Sequence, residues 1–350
     1  CRVIRVIKDE RGWLAPTYER LTRDWAQLPH ALLLSGPEGI GKADLALDLA
    51  RLFLCDNPSG PDPCGACTGC SLIEGSIHPD LHILSAEANE SSLSAILQKH
   101  AERYWLDRKG ASAKKPSDQI TVDSVRSLNE SLSSTAKIAR SKVAIIQNAD
   151  NLNRNAANAL LKLLEEPTPN TYLILTSATT HRLPVTVRSR CARINCDAPD
   201  AAALRIWLAG RHALDEIALE GLSQSGLGPL RLDRLVEKGQ DQNLLALWHN
   251  LKKNVGRFDL GAMMGYCDQL GPELVLAVLQ RFVEREFRAR VVAGCRSDPG
   301  GERWTRAELI RAYYLLGDAR ERLGSALDTQ LCLESTFSQL ETRRRQAERV

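Results

Sequence analysis

Gly36-Pro37-Glu38-Gly39-Ile40-Gly41-Lys42-Ala43 is the stretch whose reading decides the fold. An apolar run, Ala31-Leu32-Leu33-Leu34, precedes it and reads as a short buried strand. A helical pattern follows from Asp44 to Phe53, with Leu45, Leu47, Leu49, Ala50 and Phe53 as its apolar set. Strand, glycine loop and helix are the context in which G-x-x-x-x-G-K means a phosphate cradle. Gly36, Gly39 and Gly41 let backbone N–H groups turn inward, the helix N-terminus adds positive potential, and Lys42 adds a point charge. The pattern holds to its last position, where a Ser or Thr hydroxyl should hold Mg²⁺. Ala43 stands there, and a methyl group ligates no metal.

Beyond the helix, Cys55, Cys64, Cys67 and Cys70 are separated mostly by Pro, Gly, Asp and Ser. Such a segment has no apolar core of its own, so four thiolates around a structural Zn²⁺ would have to order it. An iron–sulfur cluster and free thiols are the rival readings. The first wants a further Cys-Pro three residues on, where this chain has Glu74. Crowding of four of the ten cysteines into residues 55–70 reads as a metal cluster in a reducing cytosol, not a disulfide framework. At 350 residues, 43% hydrophobic and 25% charged, the chain predicts two or three globular domains. Its net charge of +3 is too small to argue for nucleic acid or a membrane surface. No apolar run reaches spanning length and no signal peptide is visible, so a cytoplasmic protein is expected.

Taken in order, residues 16–29 predict a surface helix stopped by Pro29. Leu81-His82-Ile83-Leu84 predicts a strand, with His78 and His82 read as packed or solvated imidazoles. Residues 85–119 read as polar and irregular, including a basic loop at 108–116 that is either solvated or a DNA or phosphate contact. Ile120–Leu132 has helical spacing, and Val143-Ala144-Ile145-Ile146 is another buried strand. In an ATPase of this kind two acids stand at its end, for Mg²⁺ and for water; Gln147 and Asn148 occupy those places. Asp150 follows at a turn, displaced along the chain. Arg154–Glu166 predicts a helix capped by Asn153 and ended by Pro167 and Pro169. Tyr172–Thr176 and Ala192–Asn195 are the remaining strands. Strands interleaved with helices define a doubly wound α/β domain closing near residue 197. From Pro199 on only helices are expected: short ones at 200–211, 213–223 and 228–238, then longer ones including Leu274–Val291 and Arg306–Leu323.

At this point the residues resemble one family, the delta-prime subunits of the bacterial DNA polymerase III clamp loader, within the AAA+ superfamily. Four features carry the resemblance: Leu28-Pro29-His30-Ala31 leading into the glycine loop, the four-cysteine insert behind it, Asn158-Ala159-Leu160-Leu161-Lys162-Leu163-Leu164-Glu165-Glu166-Pro167, and Arg188-Ser189-Arg190-Cys191. The related gamma/tau motor keeps a Thr or Ser after the lysine and an Asp-Glu pair at the strand end; Ala43, Gln147 and Asn148 depart from it.

The resemblance implies an AAA+ α/β domain over 1–197 with a zinc insert at 55–70. It further implies a helical lid at 198–241 and an all-helical collar for hetero-oligomerisation at 242–350. It implies a non-hydrolysing stator with degenerate Walker motifs, in a five-subunit ring with gamma/tau and delta, acting on the sliding clamp and primer-template DNA with no membrane. Ser189-Arg190-Cys191 matches the family's arginine-finger motif, so Arg190 would reach the nucleotide of the neighbouring motor. Thr176 falls at the sensor-1 position, and Arg231 near the sensor-2 region in a poorly matching context. Whether ATP still binds the loop is left open. Two other readings stand beside this one: an active gamma/tau-like ATPase using Asp150, and a zinc-dependent nucleic-acid module, which lacks a basic recognition helix beside the cysteines.

Overall fold

The computed structural model describes residues 10–105, 117–254, 259–292, 304–323 and 329–347. These fall into two compact units, Cys1–Ala198 and Pro199–Val350. In the first, the order is α1 (Ala15–Thr22), β1 (Ala31–Ser35), α2 (Lys42–Phe53), α3 (Thr68–Glu74), β2 (Leu81–Leu84), α4 (Ala95–Ala101), α5 (Val122–Ser133), β3 (Lys142–Ile146), α6 (Arg154–Glu165), β4 (Thr171–Ser177), α7 (Val185–Arg188) and β5 (Ala192–Asn195). The strands form one sheet in the order β2-β3-β4-β1-β5, and every pairing is parallel.

Parallel sheets bury both faces, so their strands are apolar throughout instead of alternating. Side chains still sort by the two-residue period. Leu32, Leu34, Ile83, Val143, Ile145 and Ile174 join the core under α1 and α2, which includes Leu45, Leu49 and Phe53. Ala31, Leu33, Leu84, Ala144, Ile146, Leu173 and Leu175 face the opposite way, onto Val125 and Leu128 of α5 and Leu160 and Leu164 of α6. The sheet therefore carries helices on both faces, as expected.

Two expectations are corrected. The helix foreseen over 16–29 ends at Thr22 and is followed by a separate 3-10 turn at Trp25–Gln27. Thr22 Oγ1 donates back to the Tyr18 carbonyl, Asp24 lies at φ −129°, and Leu28 is already extended ahead of Pro29. The stretch 85–119 is not irregular throughout, because α4 lies within it and buries Leu97, His100 and Ala101. Seven residues are too few to show a helical period by themselves; packing against β2 makes this helix. The basic loop at 108–116 lies outside the described residues.

The second unit contains α8 (Ala201–Ala209), α9 (Glu216–Gln224), α10 (Pro229–Glu237), α11 (Asp241–Lys253), α12 (Leu260–Leu270), α13 (Pro272–Val292), α14 (Arg306–Leu323) and α15 (Thr329–Ala347), with no strand among its described residues. Asp200 and Asp215 cap the first two, each accepting the N–H three residues on at 2.7 Å. One apolar cluster runs from Leu204 to Leu340 and includes Trp248 packed edge-on to Phe282.

Candidate functional site

The glycine loop joins β1 to α2 at the C-terminal edge of the sheet. Gly39 and Gly41 take φ of +74° and +96°, the left-handed region that a side chain would strain. Gly36 is demanded by space: a Cβ there would lie 2.1 Å from the Cys196 carbonyl oxygen, where the chain leaving β5 bonds to Ser35. Lys42 is buried and bends back onto its own loop. Its Nζ donates to the Gly36 carbonyl at 2.9 Å and the Pro37 carbonyl at 2.6 Å. Burial pushes it down to about 8, against the opposing pull of Cys196, Asp150 and Glu38. Ala43 turns its methyl to the core. Arg11 lies against Asp44 at 3.3 Å and Trp13 donates to the Ile40 carbonyl at 2.9 Å, so the segment before α1 packs on the loop.

At the end of β3, Gln147 is buried with Oε1 unpartnered among the described residues. Asn148 adopts φ 49° and donates its N–H to Thr176 Oγ1 at 3.0 Å. Thr176, fully buried in β4, thus ties the two strand ends together. Asp150 stands in a single 3-10 turn, with a buried, unpartnered Oδ1, near enough to Lys42 to act on its charge. The sequence placed Asp150 at a turn, displaced from the position of a catalytic acid; the structure puts it in the 3-10 turn after Asn148, within electrostatic range of Lys42. No hydroxyl stands at 43 and no carboxylate at 147 or 148, the positions that hold magnesium and polarise water in a motor subunit.

Arg190 lies between α7 and the start of β5, at the opposite end of that strand from the glycine loop. Its Nη2 pairs with Glu165 Oε1 at 2.6 Å and its Nη1 donates to the Thr186 carbonyl at 2.9 Å. Ser189 Oγ donates to the same carbonyl at 3.2 Å. Cys191 is buried, which pushes its thiol up to about 11 and leaves it inert. Glu165 is the partner that sequence reasoning missed, although it lies within a quoted motif.

The four cysteines converge. Their sulfurs lie within 4.8 Å of one another, and Cys55 and Cys67 are 3.9 Å apart. Tetrahedral zinc–thiolate bonds of about 2.3 Å place sulfurs roughly 3.8 Å apart. Backbone N–H groups of Asp56, Cys64, Cys67 and Cys70 point at these sulfurs. Donors from Ala66 and Cys67 hold the Cys64 thiol down at about 6, whereas burial pushes Cys55 and Cys70 up. The donor set fits a metal ion with no position left for a substrate. Glu74, where an iron–sulfur pattern would want cysteine, is bound to Arg51 on α2 at 2.9 Å. His78 and His82 stand apart: His78 Nδ1 accepts the Asp80 N–H and His82 contacts the Tyr104 hydroxyl at 2.6 Å. No helix among the described residues is long and apolar enough to cross a membrane.

The family described as DNA polymerase III, delta subunit, matches residues 17–200. The chain is 37% identical over 232 residues to DNA polymerase III subunit delta' of Pseudomonas aeruginosa, covering 65% of this chain and 62% of that one. It is 32% identical over 210 residues to subunit delta' of Escherichia coli K12, covering 59% and 54%. Subunit tau of Salmonella typhimurium is 28% identical over 228 residues, covering 62% and 30%. The matched stretch thus spans less than two thirds of each relative's own length.

Proposed function

Because the chain belongs to the DNA polymerase III delta-prime family, we propose that it is a non-hydrolysing stator of a bacterial clamp loader. Its partners are then gamma/tau and delta subunits in a five-membered ring that places a sliding clamp on primed DNA in the cytoplasm. The observation that carries the reading is at the loop. Lys42 spends two donors on the Gly36 and Pro37 carbonyls, and Ala43, Gln147 and Asn148 replace the hydroxyl and the two carboxylates with which a motor holds magnesium and polarises water. Gly36, Gly39, Gly41, Lys42, Ala43 and Thr176 are then a degenerate nucleotide site kept as scaffold. Residues 1–197 form the AAA+ domain, 198–241 the lid and 242–350 the oligomerising collar.

What the chain contributes to chemistry is Arg190. A guanidinium offered to a neighbour's nucleotide neutralises charge developing on the transferring phosphoryl group, an effect worth about 10³ or more in rate. Ser189 and Cys191 hold its backbone, one on the helical turn and the other in the core. Cys55, Cys64, Cys67 and Cys70 would hold a structural Zn²⁺ that braces the insert.

The rival, an active ATPase, draws on one observation, an unpartnered Asp150 Oδ1 within electrostatic range of Lys42. One experiment separates them. The isolated chain should show no magnesium-dependent ATP turnover above background, while Arg190→Ala should lower turnover of the assembled complex at least tenfold and leave assembly intact. Brisk turnover by the isolated chain, abolished by Asp150→Asn, establishes the rival instead.

A further inference from the structure

The guanidinium of Arg190 is held by its own subunit. Glu165 takes Nη2 at 2.6 Å and the Thr186 carbonyl takes Nη1 at 2.9 Å. The backbone beneath is fixed. The Ser189 and Arg190 N–H groups close the α7 turn onto the Val185 and Val187 carbonyls, and Cys191 packs into the core that contains Leu160 and Leu164. The side chain is therefore the part that can move.

Glu165 is the last residue of α6. A carboxylate there faces the negative end of the helix dipole, with Glu166 adding a like charge. The dipole by itself would be better served by a cation there, and the ion pair that Glu165 makes is with Arg190. Both side chains are partly open to solvent, at 36% and 48% exposure. An ion pair in that setting is weak and exchanges readily.

We infer that Glu165 is a resting clamp for Arg190, holding the guanidinium against its own subunit until a phosphate takes it. The inference rests on the arginine-finger reading above. A guanidinium binds phosphate in a planar, bidentate manner through its terminal nitrogens, and here both terminal nitrogens are engaged at home. Contact with a neighbour's nucleotide requires Nη2 to leave Glu165. Carboxylate and phosphoryl oxygens compete for one edge of one side chain, and that competition sets how readily the finger extends. No covalent step is involved. Glu165 is a positioning residue that acts only through Arg190.

The test uses the complex assembled with its ATPase subunits, carrying Glu165→Gln, Arg190→Ala or both. Gln keeps the length of the side chain and removes its charge. At low salt, Glu165→Gln should raise ATP turnover about two- to five-fold with KM for ATP unchanged, the ratio that an exposed pair supports. The gain should shrink toward unity as salt screens the wild-type pair, and it should vanish in the Arg190→Ala background. The isolated Glu165→Gln chain should keep the wild-type melting temperature. Unchanged or lowered turnover in Glu165→Gln, with Arg190→Ala still slow, overturns the clamp and leaves the finger standing. Unchanged turnover in Arg190→Ala overturns the finger, and the clamp with it.

Discussion

Gly36 carries two demands that the sequence cannot tell apart. A glycine at the head of a phosphate loop is read as serving the phosphate, yet in the folded chain the same position is pressed against the Cys196 carbonyl. A backbone oxygen 2.1 Å from a would-be Cβ cannot rotate out of the way. Gly36→Ala should therefore lower stability by about 1–3 kcal/mol, a typical cost of overpacking, and a thermal melt without nucleotide measures it. An unchanged melting temperature would return the glycine to a purely phosphate-binding explanation. Lys42 shows the same doubling: its charge could serve a ligand, but here it closes the loop on itself. These double uses account for a glycine-loop pattern persisting beside Ala43, where the hydroxyl of a working site is absent.

At the level of elements, the cysteine insert is the clearest case of order imported from outside a segment's own composition. Residues 55–67 are mostly polar or small, and the described structure there is a turn with a Ser59–Asp62 bridge. α3 closes the insert, with Cys67 as its N-cap and Ile73 in the core. A metal ion held by the four thiols would tie residues 55–67 to α3, which carries Cys70 and is anchored in the core through Ile73. Cys64 is exposed, so Cys64→Ser leaves no cavity. Strong chelation or this substitution should raise hydrogen exchange across residues 55–75 while β1, β3 and β4 stay protected. Exchange spreading through the whole sheet would mean that the insert supports the domain, not the reverse. The strands were legible as continuous apolar runs, and α2, α5 and α6 as periodic helices with caps such as Asn153. What was not legible had a common cause. Lys142 opens β3 fully buried, its three protons donated to Leu132 O, Ser134 O and Thr168 Oγ1. Asp80 accepts the N–H groups of Lys137, Ile138 and Ala139. Buried charges satisfied by distant backbone carry no local signature.

Across the first unit as a whole, three buried histidines should govern acid stability. Burial lowers His82 to about 4 and His100 to about 3, with Arg103 adding to both, and burial lowers His78 as well. A folded pKa below the ordinary 6.5 means that the unfolded chain binds more protons between the two values, so stability falls as pH drops through that window. The effect approaches about 1.4 kcal/mol per pH unit for each histidine. Asp44, raised by burial, works in the opposite direction. Hydrogen exchange of β2 and β3 amides should therefore accelerate from pH 7 to pH 5 after correction for intrinsic rates, and His100→Gln should flatten the trend. A flat profile in the unaltered chain would remove the histidines from the balance.

The sequence by itself determined the strand–loop–helix unit, the convergence of four cysteines and the amides at 147 and 148 where acids would stand, because each depends on residues near one another in the chain. Tertiary structure alone decided that Asp150 turns back toward Lys42, that Gly36 is held by Cys196, and that Arg190 rests on Glu165. Those pairings join residues 108, 160 and 25 positions apart, and the first depends on a left-handed turn at Asn148. Contacts of this kind arise when parallel strands bring remote loops to one edge of a sheet, and no local pattern of apolar and polar residues encodes them.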